Sequence, residues 1–288
     1  MIELSAHLER HLPADAAFDW LLNCPGKVHR EVKHRRTVEF EIGGRRFFVK
    51  AHRGCGWGEV LKDWLRGRAP IVSARSEWEA IEQAHALGIQ TLTVAGKGER
   101  GTPPARVESF VITEAIEGMI TLEDLTRTWG GLHGRRRALL KRALLAKVAD
   151  IARRLQQAGL NHRDFYLCHV LVRDRDWLRW QPSSPTEDPL DLMLIDLHRA
   201  QRRDRVPPRW LLKDLAALLF SALDCGLTKR DLFRFLQEYR RRPWREVLAA
   251  EGAFWRRVLR RAERLYAGFH GRPPPRLALP GRTKAPNP

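Results

Sequence analysis

The stretch Asn161–His169 (Asn-His-Arg-Asp-Phe-Tyr-Leu-Cys-His) lies between two regular patterns and decides how the rest of the chain is interpreted. An amphipathic helix is predicted before it, over 135–158, and ends at Gly159. A short apolar strand, 170–172, is predicted directly after it. The apolar stripe of the helix consists of Leu140, Leu144, Val148, Ile151 and Leu155. In this context Asp164 is the first candidate for a catalytic base.

The His-Arg-Asp triplet at 162–164 has the setting in which phosphoryl-transfer enzymes with a protein-kinase-like core place their base. That chemistry needs an acceptor hydroxyl held in line, metal ions on the phosphates and a carboxylate for the acceptor's proton. A lone triplet of this kind is common by chance. The interpretation therefore depends on the rest of the chain.

Composition indicates a globular chain with an anionic partner. Of the 288 residues, 43% are hydrophobic and 30% are charged, which allows a full core in one large or two-lobed domain. The formal net charge of +18 favours nucleic acid, an anionic lipid surface or a phosphorylated saccharide as partner, unless it reflects only solvated arginines.

The sequence favours a cytoplasmic location. Charged residues and histidines interrupt the first 20 residues, so no signal peptide is predicted. The longest apolar run, 210–223, is too short to span a bilayer and contains Lys213 and Asp214. The four cysteines show neither a disulfide framework nor a zinc-ligand spacing, which suits a reducing compartment.

A β-meander is predicted over 27–50, with Gly43-Gly44 as a two-residue hairpin turn and Lys50 at the end of the last strand. The next element is a helix over 76–88. Ser76 and Glu79 match a capping box at its start, and Gly88 is its C-terminal cap.

Glu77 shares a helical face with Ile81 and Ala84, four and seven positions later. Its side chain is therefore predicted to point towards whatever the helix packs against. This makes Glu77, rather than Glu79, the expected partner of Lys50.

Three features follow farther along the chain. After the strand 110–114, which ends at Glu114, the connection 115–118 is where a hinge would offer backbone groups to an adenine ring. The segment 173–189 is interpreted as a surface loop. The apolar strand 190–197 contains Asp196, 32 residues after Asp164, where a kinase holds its magnesium.

Two polar features are predicted in the C-terminal helices. Asp214 lies inside the apolar helix 210–223, so its carboxylate must be paired or hydrogen-bonded. In protein-kinase-like folds an aspartate in this position anchors the backbone of the catalytic loop. Thr228 and Asp231 form a second predicted capping box.

The order of these features predicts an α+β, bilobal protein-kinase-like fold with a small β-rich N-lobe and a larger helical C-lobe. We expect the N-lobe over 1–115, the C-lobe over 116–270 and a disordered Pro-rich tail over 271–288. The order of the candidate residues is Lys50, Glu77, Glu114, His162, Arg163, Asp164, Asp196 and Asp214.

Four segments closely resemble the lipopolysaccharide core heptose(I) kinase family. They are Phe-Phe-Val-Lys-Ala-His-Arg-Gly-Cys-Gly-Trp-Gly-Glu at 47–59, Glu-Trp-Glu-Ala-Ile at 77–81, the stretch 161–169, and Ile-Asp-Leu-His-Arg-Ala-Gln at 195–201. The resemblance extends from about Gly26 to Tyr266.

The resemblance implies ATP-dependent phosphorylation of the first heptose of the lipopolysaccharide inner core, on the cytoplasmic face of the inner membrane. It also implies ATP and Mg²⁺ as cofactors, with Asp164 as the base beside His162 and Arg163, Lys50 paired with Glu77 on the phosphates, and Asp196 on the metal. The expected partners are the inner core, an anionic membrane surface and acyl carrier protein, and not nucleic acid. The positive charge of the chain suits an acceptor that carries carboxylates and phosphates.

The sequence departs from ordinary protein kinases in two places. No Gly-x-Gly-x-x-Gly occurs between Lys27 and Glu39, so Lys27, Arg30, Lys33 and Arg35 are the candidates for phosphate cover. His169 stands where a second metal's asparagine ligand is usual, and imidazole is a poorer ligand for a hard cation.

Two alternatives remain open from the sequence. The first keeps the chemistry and changes the acceptor to another core sugar, a small-molecule alcohol or a protein hydroxyl. The second is a non-catalytic basic module for anionic membranes or nucleic acid, which explains the arginines but leaves Lys50, Asp164 and Asp196 as coincidence.

Overall fold

The computed structural model describes residues 1–13, 15–65, 72–102, 105–128, 131–132, 134–180 and 190–275. The chain forms two compact units. The first consists of Met1–Gly118 and Met193–Gln201, and the second of Met119–Leu192 and the chain from Arg202 onward. The predicted fold class is confirmed, because the chain is α+β with a β-rich N-terminal part and a helical C-terminal part.

The first unit is built on an antiparallel sheet. Its strands are β1 (Ile2–Leu4), β2 (Lys27–Val32), β3 (Arg35–Ile42), β4 (Arg45–His52), β5 (Val94–Arg100) and β6 (Glu108–Glu114). They lie in the order β1-β5-β6-β4-β3-β2. The helices of this unit are α1 (Ala6–His11), α2 (Ala17–Leu22), α3 (Gly56–Leu65) and α4 (Arg75–Ala86).

Alternation along β4 decides which of its side chains enter the core. Phe47 and Val49 are fully buried in the cluster that includes Leu8 of α1 and Leu21 of α2. Successive side chains of a strand point to opposite faces of the sheet. Lys50, which follows Val49, therefore points away from this core.

The predicted β-meander is confirmed, and its second turn has the geometry that the two glycines favour. Ile42 pairs with Arg45 across the hairpin, and Gly43 and Gly44 have φ values of 57° and 71°. Two consecutive residues in the left-handed region define a type I′ turn, whose twist matches that of the flanking strands.

The start of α4 differs from the prediction. The helix begins at Arg75, after Ala74, and Ser76 does not cap it. Instead, the N–H of Arg75 donates to Ser73 Oγ at 3.0 Å, and the N–H of Ala74 donates to Ser109 Oγ at 2.9 Å. The helix ends as predicted, close to Gly88, which has a φ of 67°.

The second unit is mainly helical. Its helices are α5 (Leu122–Thr128), α6 (Gly134–Gln157), α7 (Asp174–Arg179), α8 (Pro208–Ala222), α9 (Lys229–Arg240) and α10 (Trp244–His270). Its strands are β7 (Met119–Thr121), β8 (Leu160–Asn161) and β9 (Val170–Arg173), and β7 pairs with β9. Two further strands, β10 (Leu192–Leu194) and β11 (Gln201–Arg202), lie at the two ends of the 193–201 segment.

The long helix α6 buries the predicted stripe, and a close backbone contact follows its end. The N–H of Arg203 donates to the carbonyl of Gly159 at 2.9 Å. Gly159 has a φ of 71°, and a Cβ atom there would lie 1.7 Å from the carbonyl oxygen of Arg203. Only glycine fits this position. The buried residues of the stripe are Leu140, Leu144, Val148, Ile151 and Leu155.

Several predicted boundaries differ from the structure. The segment expected to be a loop over 173–189 begins with α7, and residues 181–189 lie outside the described part of the chain. The strand expected over 190–197 is limited to β10 and is followed by a 3-10 turn at Leu197–Arg199. Most of the predicted tail, 276–288, also lies outside the described residues. In the part that the structure covers, no helix is long and apolar enough to cross a membrane.

Candidate active site

The first unit brings together Lys50, Glu77 and Asp196, which we call the Lys50 cluster. Lys50 Nζ lies 2.6 Å from Glu77 Oε1 and 3.7 Å from Asp196 Oδ1. The predicted contact between Lys50 and Glu77 is therefore present. Burial opposes the charge of Lys50, but the two carboxylates outweigh this effect and raise the pKa of the lysine.

Glu77 reaches Lys50 from the buried side of α4. Only 1% of its side chain is exposed, against 26% for Lys50. A carboxylate that is this deeply buried is favourable only when a cation compensates its lost hydration. The helical face predicted from Ile81 and Ala84 is indeed buried, which explains why Glu77 and not Glu79 makes the contact.

Asp196 directly precedes the 3-10 turn at Leu197–Arg199. Its backbone is left-handed, with φ 63° and ψ 50°, a conformation that aspartate tolerates better than most residues. Nδ1 of His198 donates to Asp196 Oδ1 at 2.5 Å. The backbone conformation and this hydrogen bond together direct the Asp196 carboxylate, and its Oδ1 lies near Lys50 Nζ.

A basic cavity of about 320 Å³ adjoins the Lys50 cluster within the first unit. His52, two residues after Lys50 on β4, is buried in its wall. Burial, together with the charges of Arg35, Lys50 and His198, lowers the pKa of His52 to about 3, so this histidine is neutral at physiological pH. The cationic side chains of the wall include Arg30, Lys33, Arg35, Arg36 and Arg53.

In the second unit, Asp214 of α8 holds the backbone of the 161–169 loop. Its Oδ2 accepts the N–H of His162 and its Oδ1 accepts the N–H of Arg163, each at 2.9 Å. Burial raises the pKa of Asp214 to about 7, although the two N–H donors oppose this shift. The hydrogen bonding predicted for this buried carboxylate is present.

Further hydrogen bonds fold the loop around Asp164. Its carbonyl accepts the N–H of Tyr166 at 3.0 Å and Nδ1 of His169 at 2.7 Å. The N–H of Leu167 donates to Ser221 Oγ at 3.0 Å. The half-buried Asp164 side chain thus extends from a loop whose backbone is fixed on both sides.

His162 and His169 both support this loop. His162 is fully buried, and its Nδ1 accepts the N–H of Asp164 at 3.3 Å. The rings of the two histidines stack with their centres 5.9 Å apart. The structure therefore gives His162 a structural contact to the residue predicted to be the base. The Nδ1 of His169 is occupied as a donor, because a carbonyl oxygen can only accept.

Comparison with known proteins assigns the chain to a family. Residues 20–239 match the model of the "Lipopolysaccharide kinase (Kdo/WaaP) family". The chain belongs to this family. The predicted relationship to lipopolysaccharide core kinases is thereby confirmed.

Two relatives within the family have the same name, "Lipopolysaccharide core heptose(I) kinase WaaP". The protein from Pseudomonas aeruginosa is 47% identical over 241 residues, which cover 84% of this chain and 87% of the relative. The protein from Escherichia coli K12 is 38% identical over 265 residues, which cover 92% of this chain and 97% of the relative.

A solved structure, described as "WaaP in complex with acyl carrier protein", shares the fold. It superposes with a TM-score of 0.75 at 40% sequence identity, covering 92% of this chain and 99% of that chain. The α+β architecture described above is therefore also the fold of this solved WaaP structure.

This Kdo/WaaP family member has a donor set that fits one magnesium ion. Mg²⁺ usually keeps several waters and takes one or two carboxylates together with substrate phosphates. Asp196 offers such a carboxylate, and 31% of its side chain is exposed. Across the described residues, no three His, Cys, Asp or Glu side chains are grouped closely enough to enclose a metal ion. His169, the other predicted ligand, already uses one ring nitrogen on the Asp164 carbonyl.

Glu114, predicted to lie at an adenine-binding hinge, is the last residue of β6. Its Oε1 lies 2.6 Å from a guanidinium nitrogen of Arg45, and its N–H donates to the carbonyl of Thr93 at 3.0 Å. These contacts occupy the side chain and the amide of Glu114.

Sequence reasoning missed three residues that support the site: His52, His198 and Ser221. Ser221 follows Asp214 by seven positions, so both lie on one face of α8. This spacing is a signal that could have identified it. His198 follows Asp196 by two residues, but nothing in the sequence indicates that its ring turns back to the carboxylate. The burial of His52 depends on neighbours that are distant in sequence.

Proposed function

We propose that this chain transfers the γ-phosphoryl group of ATP to the first heptose of the lipopolysaccharide inner core. The acceptor is suggested by relatives of 38–47% identity, which are named heptose(I) kinases and cover most of their length. The observation that carries the kinase chemistry is Lys50, whose ammonium lies against Glu77 and near Asp196 beside a basic cavity. This is the ion-pair arrangement that phosphoryl-transfer enzymes use to hold nucleotide phosphates.

We assign the nucleotide phosphates to Lys50 and to the basic cavity. Arg30, Lys33 and Arg35, from β2, β3 and the turn between them, line that cavity and supply positive charge where a glycine-rich loop would supply backbone N–H groups. Adenine would contact other backbone groups of the 115–118 connection, since the N–H of Glu114 donates to the carbonyl of Thr93 and the N–H of Ala115 donates to the carbonyl of Arg46.

We propose that Asp196 would hold a magnesium ion, with waters and phosphate oxygens as the remaining ligands. The ion would neutralise charge on the transferred group. His198 keeps the carboxylate oriented through its 2.5 Å hydrogen bond. His169 acts in this proposal by holding the carbonyl of Asp164 rather than as a ligand, because imidazole suits a hard cation poorly.

Asp164 is the proposed base. The oxygen of the acceptor hydroxyl attacks the γ-phosphorus, and its proton passes to the Asp164 carboxylate. The bond between the γ-phosphorus and the bridging oxygen breaks, and ADP leaves. His162, Arg163 and Asp214 position the loop that carries Asp164.

The positive charge of the chain supports two of the proposed partners, the acceptor and the membrane surface. A chain of net charge +18 attracts an acceptor that carries carboxylates and phosphates, and it attracts the anionic inner face of the inner membrane. We propose that the protein works there as a peripheral enzyme and binds acyl carrier protein, the partner named in the similar solved structure. Flotation with anionic vesicles and co-elution with purified acyl carrier protein test these two points separately.

Mass spectrometry of the core oligosaccharide tests the main proposal. Purified protein is incubated with Mg-ATP and lipopolysaccharide that lacks inner-core phosphate. Gain of one phosphate on the first heptose, absent with Asp164→Asn, is the expected result. If ATP is hydrolysed while the core gains no phosphate, the proposed acceptor is wrong and the kinase chemistry remains.

A further inference from the structure

Trp210, in the first turn of α8, is surrounded by four cationic side chains. Lys213 Nζ lies 4.1 Å from the centre of its indole ring. The Cζ atoms of Arg163, Arg209 and Arg203 lie at 5.0, 5.5 and 5.9 Å. All four distances are within the range of cation–π contacts. We call this group the Trp210 cluster.

The cations come from three segments of the second unit, and two of them are fixed by other contacts. Arg203 donates to Asn161 Oδ1 at 2.6 Å, and its N–H is bonded to Gly159. The backbone of Arg163 is held by Asp214. Arg209 and Lys213 are exposed. The fold thus concentrates positive charge on one aromatic ring, against the mutual repulsion of the charges.

The indole itself provides a second observation. Trp210 Nε1 is buried, and no described residue accepts its hydrogen bond. A buried donor without an acceptor is unfavourable, so this N–H would be stabilised by an oxygen acceptor.

We propose that the Trp210 cluster binds an oxyanion, a carboxylate or a phosphate, carried by the acceptor saccharide. Guanidinium groups bind such oxyanions in a bidentate manner, and the ammonium of Lys213 adds a point charge. The inference rests on the proposed function for the identity of the acceptor. It extends that function by naming the residues that hold the acceptor.

Two arguments favour the acceptor over the nucleotide as the bearer of this oxyanion. Arg163 directly precedes Asp164, the proposed base, on the loop that Asp214 anchors, so we expect an anion held by Arg163 to belong to the acceptor. We have assigned the nucleotide phosphates to a separate set of cations in the first unit, around Lys50. The Trp210 cluster therefore supplies a binding determinant for the saccharide alone.

The test uses the double variant Arg209→Gln/Lys213→Gln in the full-length protein. The matched control is Lys229→Gln/Arg257→Gln, which removes the same two charges from exposed positions of α9 and α10. Binding of the deacylated core oligosaccharide is measured by calorimetry without nucleotide, and the KM values for oligosaccharide and ATP are measured separately. Thermal unfolding verifies that all variants are folded.

We expect the Arg209/Lys213 variant to bind the oligosaccharide about tenfold more weakly and to raise its KM similarly, with the KM for ATP unchanged. The control should match the wild type. If the oxyanion is a phosphate, the variant and the wild type should bind a dephosphorylated oligosaccharide with equal affinity. If it is a carboxylate, they should bind an oligosaccharide with amidated carboxylates with equal affinity.

Equal binding of the oligosaccharide by the variant and the wild type would overturn the inference. Equal losses in the Arg209/Lys213 variant and in the control would also overturn it, because general charge would then explain the binding. If the wild type binds the oligosaccharide through these residues but transfers no phosphate to it, the inference stands and the proposed function fails.

Discussion

The Lys50 cluster and the 161–169 loop hold their functional side chains in different ways. In the cluster, charged side chains contact one another directly, and the ammonium of Lys50 is shared between two carboxylates. In the loop, the hydrogen bonds run to the backbone, where Asp214 accepts two N–H groups and His169 donates to the Asp164 carbonyl.

This difference predicts how each region responds to substitution. Loss of the Glu77 charge leaves Lys50 near Asp196 and partly exposed to solvent, so the change stays local. Loss of a side chain that holds the backbone displaces every group the loop carries. We therefore expect larger effects in the loop than in the Lys50 cluster.

The largest effect is expected from Asp164→Asn. The amide cannot take the acceptor's proton, so kcat should fall about 1000-fold with little change in the KM for ATP. Steady-state kinetics with the core oligosaccharide measures this change. Asp204→Asn, at an exposed aspartate in the same unit, is the control and should retain wild-type kcat. Full activity of Asp164→Asn would exclude Asp164 as the base.

Asp214→Asn tests whether the backbone anchor of the 161–169 loop is needed for activity. The amide oxygen accepts only one of the two backbone N–H groups, and the amide NH₂ group faces the other donor. We expect kcat to fall about 100-fold and the free energy of unfolding to fall by about 2 kcal/mol. Kinetics and urea unfolding of the same preparation measure both quantities. Normal kcat in a destabilised variant would show that the loop does not depend on this anchor.

Glu77→Gln tests the Lys50 cluster. Loss of the buried carboxylate releases Lys50 from its 2.6 Å contact, so kcat/KM for ATP should fall about 30-fold. The control is Glu79→Gln, two residues away on the exposed side of the same helix, which should change kcat/KM less than twofold. If the two variants behaved alike, the ion pair would have no part in binding the nucleotide.

The smallest effect is expected from His52→Gln, as a change in the pH dependence of stability. The folded protein holds the pKa of His52 near 3, below the unfolded value near 6.5. As the pH falls below about 6.5, His52 of the unfolded chain binds a proton and His52 of the folded chain does not. The free energy of unfolding therefore falls with the pH.

Urea unfolding at pH 7.5 and pH 5.5 measures this loss for His52. The wild type should lose about 1 kcal/mol more of its unfolding free energy than His52→Gln between these two pH values. Parallel pH profiles of the two proteins would contradict the assigned burial of His52.

Local signals in the sequence predicted the secondary structure well where the local pattern decides it. The Gly43-Gly44 turn and the capping box of Thr228 and Asp231 are both present. The box at Ser76 was wrong, because a buried hydrogen bond from Ala74 to Ser109 fixes the helix start. Ser109 is distant in sequence, so no local pattern could reveal this contact.

The contacts of the candidate site could be predicted to a similar degree. The pairing of Lys50 with Glu77 followed from helical periodicity, and the hydrogen bonding of Asp214 followed from the cost of burying a charge. The Trp210 cluster could not be predicted, since its cations come from separate segments and arginine is common throughout this chain.

The close approach at Gly159 has a genetic consequence. Every single-nucleotide missense change in a glycine codon introduces a residue with a Cβ atom, and at this position that atom would lie 1.7 Å from the Arg203 carbonyl. Gly118 also has a positive φ, but nothing lies within 4 Å of its added Cβ, so aspartate, which a single-nucleotide change can introduce, is acceptable there. Single-nucleotide changes that alter the residue can therefore be accepted at codon 118, whereas at codon 159 only synonymous changes leave the fold intact.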